Sequence, residues 1–189
     1  MKILEKKWMS LTKKLNQNLF NFTVFIFFIF FNSAFSEIKF ISSELEKVII
    51  TDGDSIKIGK QKIRLFGIDA PELKQICYNQ SEVPYACGHE AKGILQMIIK
   101  NKKFLNHNKK YIYCYYSKRD KYNRILGECF LGKDGKYNIN EWMVGLGHAV
   151  AYLKYSKKYS DWQESAKVNN MGLWSGTFEM PEEWRKKNK

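Results

Sequence analysis

Three short apolar runs, each rich in Ile, Val or Leu, follow one another in the chain after residue 36. They lie at residues 45–51, 55–58 and 62–68. The dipeptides Asp52-Gly53 and Gly59-Lys60 separate them. Such dipeptides between β-branched runs are typical of tight hairpin turns. The pattern predicts a three-stranded β-meander that ends before Pro71, because proline cannot continue a strand ladder.

The middle of the chain combines one helical pattern with two strand-like runs. Residues 89–100 carry apolar side chains at helical spacing, which predicts a helix with one apolar face. Residues 110–116 and 124–131 are strand-like runs. A polar turn at residues 117–123 joins them, so we expect a β-hairpin.

Two more helices are predicted in the last third of the chain. Asn138, followed three residues later by Glu141, is a capping-box pattern and predicts a helix that ends at Gly147. Ser160 and Gln163 repeat the pattern and predict the start of a further helix.

The predicted order is three strands, a helix, two strands and two helices. It indicates an α+β fold that is mainly β: a five-stranded OB-type Greek-key barrel with three helices, a fold that commonly binds nucleic acid. Residues 37–189 contain no repeat, low-complexity segment or linker, so we expect one monomeric domain. Its basic tail at residues 185–189 is expected to add nonspecific, salt-sensitive attraction for phosphates.

The first 36 residues differ from the rest. Five lysines precede an apolar stretch at residues 19–31, and residues 34–36 fit a small-x-small cleavage pattern. We therefore predict a signal peptide at residues 1–36, cut before Glu37, and a periplasmic or secreted mature protein. The alternative is an uncleaved anchor in which residues 19–35 hold the protein in the inner membrane.

The formal net charge of +13 limits the kinds of partner that the surface attracts. A strongly basic surface favours polyanions, either nucleic acid or an anionic membrane face. Charge alone does not choose between them. A hydrophobic content of 44% is that of a globular protein and argues against a disordered chain.

Four cysteines lie beyond the predicted signal peptide. They are Cys77, Cys87, Cys114 and Cys129. An even number in an exported domain indicates disulfides, and four cysteines allow three pairings. We favour Cys77 with Cys87 and Cys114 with Cys129, because each pair closes a short segment that the predicted elements bring together. A zinc site is the alternative, but no Cys-x-x-Cys or His-x-His spacing supports it.

Carboxylates and an arginine cluster at the predicted strand ends. They lie in the segments TDGDS at residues 51–55 and IRLFGIDAPE at residues 63–72. Asp54, Asp69 and the backbone carbonyl of Ala70 are oxygen donors that suit a hard divalent cation such as Ca²⁺. Taken singly, Asp-Gly is ordinary turn chemistry, but its occurrence together with Arg64 and Glu72 indicates a site.

One feature of the spacing constrains the third strand. Arg64 and Asp69 are five residues apart and would point to opposite faces of a regular strand. The strand must therefore end or twist between them if both side chains serve one site.

These segments, together with Asp120-Lys121-Tyr122-Asn123-Arg124, resemble the staphylococcal nuclease or thermonuclease family. The likeness runs from about residue 48 to residue 175 and includes GHAVAY at residues 147–152 and GLWS at residues 172–175. It implies an enzyme that hydrolyses phosphodiester bonds of DNA, RNA or both, with Ca²⁺ as its cofactor. It implies no protein partner, and it involves a membrane only if the signal peptide stays uncleaved.

The resemblance also implies a role for each matching residue. Ca²⁺ is held by Asp54, Asp69 and the Ala70 carbonyl. The catalytic set is Arg64, Glu72 and Arg124, and the substrate-binding set is Lys121, Tyr122 and Tyr152. The first two of these contact a terminal phosphate, and Tyr152 stacks on a base.

Two positions depart from the family pattern. Asn123 stands where the family often has glycine, and asparagine tolerates a positive φ, so the turn is expected to survive. Ala70 replaces a common threonine, a mild change if only its carbonyl binds the metal.

Two other classes of function compete with the nuclease. The first is a noncatalytic nucleic-acid-binding OB-fold module of the cell envelope. The second is a disulfide-stabilised envelope protein that uses its basic face as an adhesive surface. Neither class requires Arg64, Glu72 and Arg124 together, so their joint presence favours the enzyme.

Overall fold

The computed structural model describes residues 37–100, 111–132 and 134–188. The predicted signal peptide at residues 1–36 and Lys110, the first residue of the predicted hairpin, lie outside the described residues.

The strands in chain order are β1 (Lys39–Glu44), β2 (Val48–Asp52), β3 (Ser55–Ile58), β4 (Gln61–Leu65), β5 (Ile68–Asp69), β6 (Cys77–Tyr78), β7 (Pro84–Tyr85), β8 (Tyr111–Tyr116), β9 (Ile125–Leu131), β10 (Tyr137–Asn138) and β11 (Val150–Ala151). The helices are α1 (Cys87–Lys100), α2 (Ile139–Gly145), α3 (Ser160–Val168) and α4 (Pro181–Lys187), with short 3-10 helices at Leu45–Lys47 and Gly172–Ser175. None of the helices within the described ranges combines the length and apolar character that membrane crossing requires.

Six strands lie side by side in the order β1, β8, β9, β4, β3, β2, and β10 joins at β9. The pairs are antiparallel except β4 with β9, which run parallel. This mixed sheet curls into a half-barrel, so the OB-type α+β class, mainly β, is confirmed. The described residues add β1 and β10 to the five predicted strands of the sheet and add α4 to the three predicted helices.

Strand β1 escaped prediction because its sequence, KFISSE, has no regular alternation of apolar and polar positions. Its residues are exposed or half-buried, as expected for a sheet edge. Its extended conformation is fixed by pairing with β8, in a register that runs from Lys39 opposite Tyr116 to Glu44 opposite Tyr111. Tertiary pairing, rather than local pattern, determines this strand.

The core lies between the curled sheet and the helices. Helix α1 turns Ala91, Leu95 and Ile98 inward, as its spacing predicts, and packs on β2. Helix α2 packs on β9 and on α3. The predicted hairpin of β8 and β9 contributes the fully buried Ile112 and Leu131 to the same core.

Both helices predicted from capping patterns form, and α3 begins at Ser160 as predicted, but the side-chain cap itself is present only in α2. The Asn138 side chain accepts hydrogen bonds from the backbone N–H groups of Asn140 and Glu141, at 3.0 and 3.3 Å. In α3, by contrast, Tyr159 is the N-cap and makes no side-chain cap bond. The Gln163 side chain is instead buried and accepts a 2.8 Å hydrogen bond from the backbone N–H of Ala151. A tertiary contact has replaced the local one.

Both favoured cysteine pairings are formed. Cys114 and Cys129 lie directly opposite each other on β8 and β9 and belong to the main core. Cys77 and Cys87 join β6 to the start of α1. Around this second disulfide, Val150 and Leu173 form a smaller apolar cluster. The C-terminal segment of the chain is thus attached to the loop that the second disulfide closes.

Gly147 ends α2 as predicted and makes a close contact with a distant segment. Its φ is 73°, and a Cβ at this position would lie 2.0 Å from the Met171 carbonyl oxygen. The Gly147 carbonyl in turn accepts a 2.9 Å hydrogen bond from the Leu173 N–H. The helix end and the Gly172–Ser175 3-10 helix therefore touch through their backbones.

We expect Gly147→Ala to lower the free energy of unfolding by ~3 kcal/mol or more, because it adds a backbone clash to the strain of a positive φ. Gly59→Ala is the matched control: φ is 55° there, but no atom lies within 4 Å of the added Cβ, so a loss of about 1 kcal/mol is expected. Urea denaturation of both variants measures the difference. Equal losses would show that the contact with Met171 is unimportant.

Candidate active site

The turn between β2 and β3, the end of β4 and the short strand β5 meet at one place. Strand β4 ends at Leu65, a turn at Phe66 and Gly67 follows, and β5 begins at Ile68. This break, which the spacing of Arg64 and Asp69 requires, lets both side chains serve one site.

Asp54 lies in the β2–β3 turn and is 3% exposed. The Asp52 carboxylate accepts a 3.1 Å hydrogen bond from the Asp54 N–H, which is the ordinary turn chemistry of aspartate. The Asp54 carboxylate itself points inward. Its Oδ1 accepts from the Ser55 hydroxyl at 2.9 Å, and its Oδ2 accepts from the Ala70 N–H at 3.0 Å. Turn chemistry thus explains Asp52 but not Asp54.

Arg64 joins the two buried aspartates. Its Nη1 donates to Asp54 Oδ1, and its Nη2 donates to Asp69 Oδ1 at 2.6 Å. Burial acts to lower the pKa of Arg64, but the carboxylates of Asp54 and Asp69 outweigh it and raise the pKa above its ordinary value. The guanidinium is therefore permanently charged and fixed by two ion pairs.

The carboxylates are crowded enough to disturb one another. Burial, and then the charge of Asp54, raise the pKa of Asp52 to about 6. Burial also raises the pKa of Asp69, which is 1% exposed, and Asp54 adds to the effect against the opposing arginines. Closely held carboxylates with raised pKa values favour a neighbouring cation.

Glu72 is linked to the cluster by Arg185, a residue of the basic C-terminal tail that was not among the predicted site residues. Arg185, on α4, donates from Nη1 to Glu72 Oε1 at 2.9 Å and to Asp69 Oδ1 at 3.0 Å. Its Nη2 donates to Asp69 Oδ2 at 2.8 Å. The basic tail at residues 185–189 was predicted to attract phosphates nonspecifically, and that prediction did not include a contact between Arg185 and these carboxylates. The contact joins residues 116 positions apart, and no local pattern in the sequence signals it.

The predicted residues of the β8–β9 hairpin form a second group. Asp120 orders the loop: its carboxylate accepts from the N–H groups of Tyr122 and Arg124 and from Arg124 Nε at 2.7 Å. The Lys121 ammonium lies 5.0 Å from the centroid of the Tyr122 ring. Asn123 adopts the expected positive φ, 62°. The departure from glycine at this position therefore leaves the turn intact.

The strand register relates the hairpin group to the cluster around Arg64. Strands β4 and β9 run parallel, with Arg64 opposite Leu126. Arg124 directly precedes β9, two residues before Leu126. Strand alternation, continued to this position, predicts that Arg124 shares the side of the sheet that Arg64 faces.

Tyr152 lies directly after β11, which pairs with β5 and places Val150 opposite Asp69. The Tyr152 N–H donates to the Gly67 carbonyl at 2.8 Å. Its ring packs edge-on against Tyr155, with centroids 4.7 Å apart. Burial raises the pKa of Tyr152, and the Asp69 carboxylate acts in the same direction. The structure therefore brings this predicted substrate-binding residue next to the carboxylates and adds Tyr155, which is 59% exposed, as an aromatic neighbour.

The donor set of Asp54, Asp69 and the Ala70 carbonyl consists only of oxygen atoms, which fits a hard cation such as Ca²⁺. In the described part of the chain, however, no three His, Cys, Asp or Glu side chains are grouped as metal ligands. Both carboxylates are instead bonded to arginine N–H groups. The donor chemistry therefore suits Ca²⁺, and binding requires some of these N–H contacts to give way.

Comparison with known proteins identifies the same family that the sequence motifs resemble. A family model described as staphylococcal nuclease homologue matches residues 62–176. The succinoglycan biosynthesis protein ExoI of Rhizobium meliloti (strain 1021) is 32% identical over 126 residues, 66% of this chain and 61% of that protein. The probable staphylococcal-like nuclease CAN3 of Oryza sativa subsp. japonica is 34% identical over 143 residues, 74% of this chain and 32% of the relative.

These two matches span less than two thirds of each relative. An uncharacterized endonuclease of Escherichia coli is matched over more of its length, at 30% identity over 140 residues, 71% of this chain and 78% of that protein. Since the family model covers more than half of the chain and the relative from Escherichia coli is matched over most of its length, the chain belongs to the staphylococcal nuclease family.

Proposed function

We propose that this protein is a calcium-dependent nuclease that hydrolyses phosphodiester bonds of DNA, RNA or both. The observation that carries the proposal is the cluster in which Arg64 bridges the buried carboxylates of Asp54 and Asp69, and in which Arg185 links Asp69 to Glu72. Arg124 directly precedes β9, the strand that pairs with the strand of Arg64. Membership of the nuclease family supports the reaction class, and relatives named nuclease and endonuclease support it as well.

The two arginines suit the charge that this reaction develops. Attack on a phosphodiester places negative charge on the equatorial oxygens and on the leaving oxygen. A planar guanidinium donates two parallel hydrogen bonds to such oxygens and does not lose its proton. Arg64 is held in place by Asp54 and Asp69, and Arg124 by Asp120, so both guanidinium groups are oriented before a substrate binds.

Glu72 is the carboxylate suited to orient the attacking water and accept its proton. Its side chain is 37% exposed, whereas that of Asp69 is 1% exposed, so Glu72 is the one that solvent reaches. Bound at Asp54, Asp69 and the Ala70 carbonyl, Ca²⁺ would supply a Lewis acid that polarises the phosphoryl oxygen. Glu72 then acts as the general base at the edge of that site.

The remaining residues hold the substrate. Lys121 and Tyr122 lie together on the hairpin loop next to Arg124 and offer a charge and a hydroxyl to a terminal phosphate. Tyr152, packed against Tyr155, offers an aromatic face on which a base stacks. These contacts bind nucleic acid through its phosphates and base faces, so they do not depend on sequence.

A noncatalytic nucleic-acid-binding module is the second candidate. The contacts of Arg185 with Asp69 and Glu72 favour it, because they occupy a candidate metal ligand and the candidate base. The complete set of arginines and carboxylates favours the enzyme.

We also propose that the protein acts as a monomer outside the cytoplasm. The predicted signal peptide motivates the location, and two disulfides support it because they persist in an oxidising compartment. Amino-terminal sequencing of protein recovered from periplasm or medium is expected to start at Glu37. A full-length chain recovered only from the inner membrane would instead establish the anchor at residues 19–35.

The calcium requirement is tested by incubating the purified mature protein with single-stranded DNA and with RNA. Cleavage is expected with Ca²⁺, and none after the metal is removed by a chelator, because the oxygen donors bind a hard cation. Restoring Ca²⁺ in excess of the chelator is the control. Binding of nucleic acid without cleavage under all conditions would favour the noncatalytic module.

Arg124→Ala is expected to lower kcat ~100-fold or more while leaving the melting temperature near that of the parent, because it removes a guanidinium that stabilises the transition state. Arg119→Ala is the matched control on the same loop: Arg119 contacts the Asn123 carbonyl and Gln61 rather than the cluster. Steady-state kinetics of both variants measure the effect. Equal turnover by the two variants would remove Arg124 from the catalytic set.

A further inference from the structure

Helix α4 carries a third arginine into the candidate active site from outside the family match. The match ends at residue 176, and α4 begins at Pro181. Arg185 makes a bidentate ion pair with Asp69 and a further bond to Glu72, at N···O distances of 2.8 to 3.0 Å. Its side chain is 31% exposed, so the guanidinium lies at the boundary between the buried cluster and solvent.

Several contacts hold the segment before α4 in place. Tyr78 and Thr177 exchange backbone hydrogen bonds of 2.9 Å each. The fully buried Gln75 donates to the Glu179 carbonyl at 2.7 Å and accepts from the Glu72 N–H at 3.2 Å. The segment is therefore fixed to the same loop that carries Glu72, and the Cys77–Cys87 disulfide anchors the end of that loop to the start of α1.

The position of Arg185 conflicts with that of a metal ion on Asp69. Both Asp69 oxygens accept hydrogen bonds from Arg185, and Oδ1 also accepts one from Arg64. A hard cation binds directly to carboxylate oxygens and repels a guanidinium at contact distance. The two Asp69 oxygens therefore cannot keep all their hydrogen bonds to Arg185 and bind a metal ion at the same time.

The two arginines of the cluster differ in how easily they give way. Arg64 is 15% exposed and bridges two aspartates that are almost fully buried, so moving it takes the paired guanidinium away from the buried Asp54 carboxylate. Arg185 is more exposed and belongs to a seven-residue helix near the end of the chain. A cation that approaches Asp69 from solvent meets Arg185 as the replaceable partner.

We propose that Arg185 and a divalent cation compete for the Asp69 carboxylate, so that α4 must release Asp69 before the metal binds. The inference rests on the proposed calcium-dependent function and adds Arg185 as a residue that determines how much calcium the site needs for binding. Arg185 is a positioning residue: in the absence of metal it neutralises Asp69 and holds Glu72. Its presence lowers the affinity of the site for calcium.

The test measures calcium binding directly, by isothermal titration calorimetry of the metal-free protein with calcium chloride. Arg185→Met removes the charge and keeps much of the apolar stem, and it is expected to raise the affinity about tenfold or more. Arg185→Lys keeps the charge but loses the bidentate geometry, so an intermediate affinity is expected. Lys187→Met is the control. It removes one positive charge from the same helix, and Lys187 pairs with Glu179 rather than with Asp69.

A second measurement follows α4 itself. In the parent, calcium is expected to increase backbone hydrogen exchange in Pro181–Lys187, because Arg185 gives up its bonds to Asp69. In Arg185→Met the helix exchanges quickly with and without calcium. A merely structural arginine would make exchange in α4 insensitive to the metal.

The outcomes separate this inference from the proposed function. If the parent and Lys187→Met both bind calcium more weakly than Arg185→Met does, the competition is supported. Weaker binding by Arg185→Met, or equal binding by all four proteins, overturns the competition and leaves the calcium-dependent nuclease standing. Calcium binding by none of them overturns both.

Discussion

The bridge that Arg64 makes between Asp54 and Asp69 is the contact around which the rest of the site is arranged. It joins the β2–β3 turn and the end of β4, which belong to the main sheet, to the short strand β5, which pairs with β11 instead. Removing one partner of such a buried pair leaves the others uncompensated, at a cost of roughly 3–5 kcal/mol. Folding and the proposed chemistry therefore depend on the same guanidinium, so Arg124, which pairs with Asp120 outside this cluster, is the better residue for testing catalysis by substitution.

Much of the fold follows from local chemistry, and the exceptions have a common cause. The Asp-Gly turns, the apolar face of α1 and the Asn138 cap act over a few residues, so the sequence alone predicts them. The edge strand β1, the inward-turned Gln163 and the fourth helix depend on partners far along the chain.

The site divides in the same way. Asp54, Asp69, Arg64 and Glu72 could be named in advance because they lie at strand ends within two short segments. Their charge partner Arg185 could not, since a basic tail gives no sign of whether it meets solvent or a buried carboxylate. Asp120 lies between these cases: its motif is recognisable in the sequence, but its role as the acceptor that orders Arg124 depends on the folded loop, which the motif alone does not define.

The parallel pairing of β4 with β9 has a consequence for the order of folding. Arg64 and Arg124 are sixty positions apart, and their segments become neighbours only after these two strands have paired. Contacts of such long range form late, after loop closure has been overcome. A chain in which β4 and β9 have not yet paired thus holds the two arginines on separate segments, so the candidate site is among the last parts of the molecule to be completed.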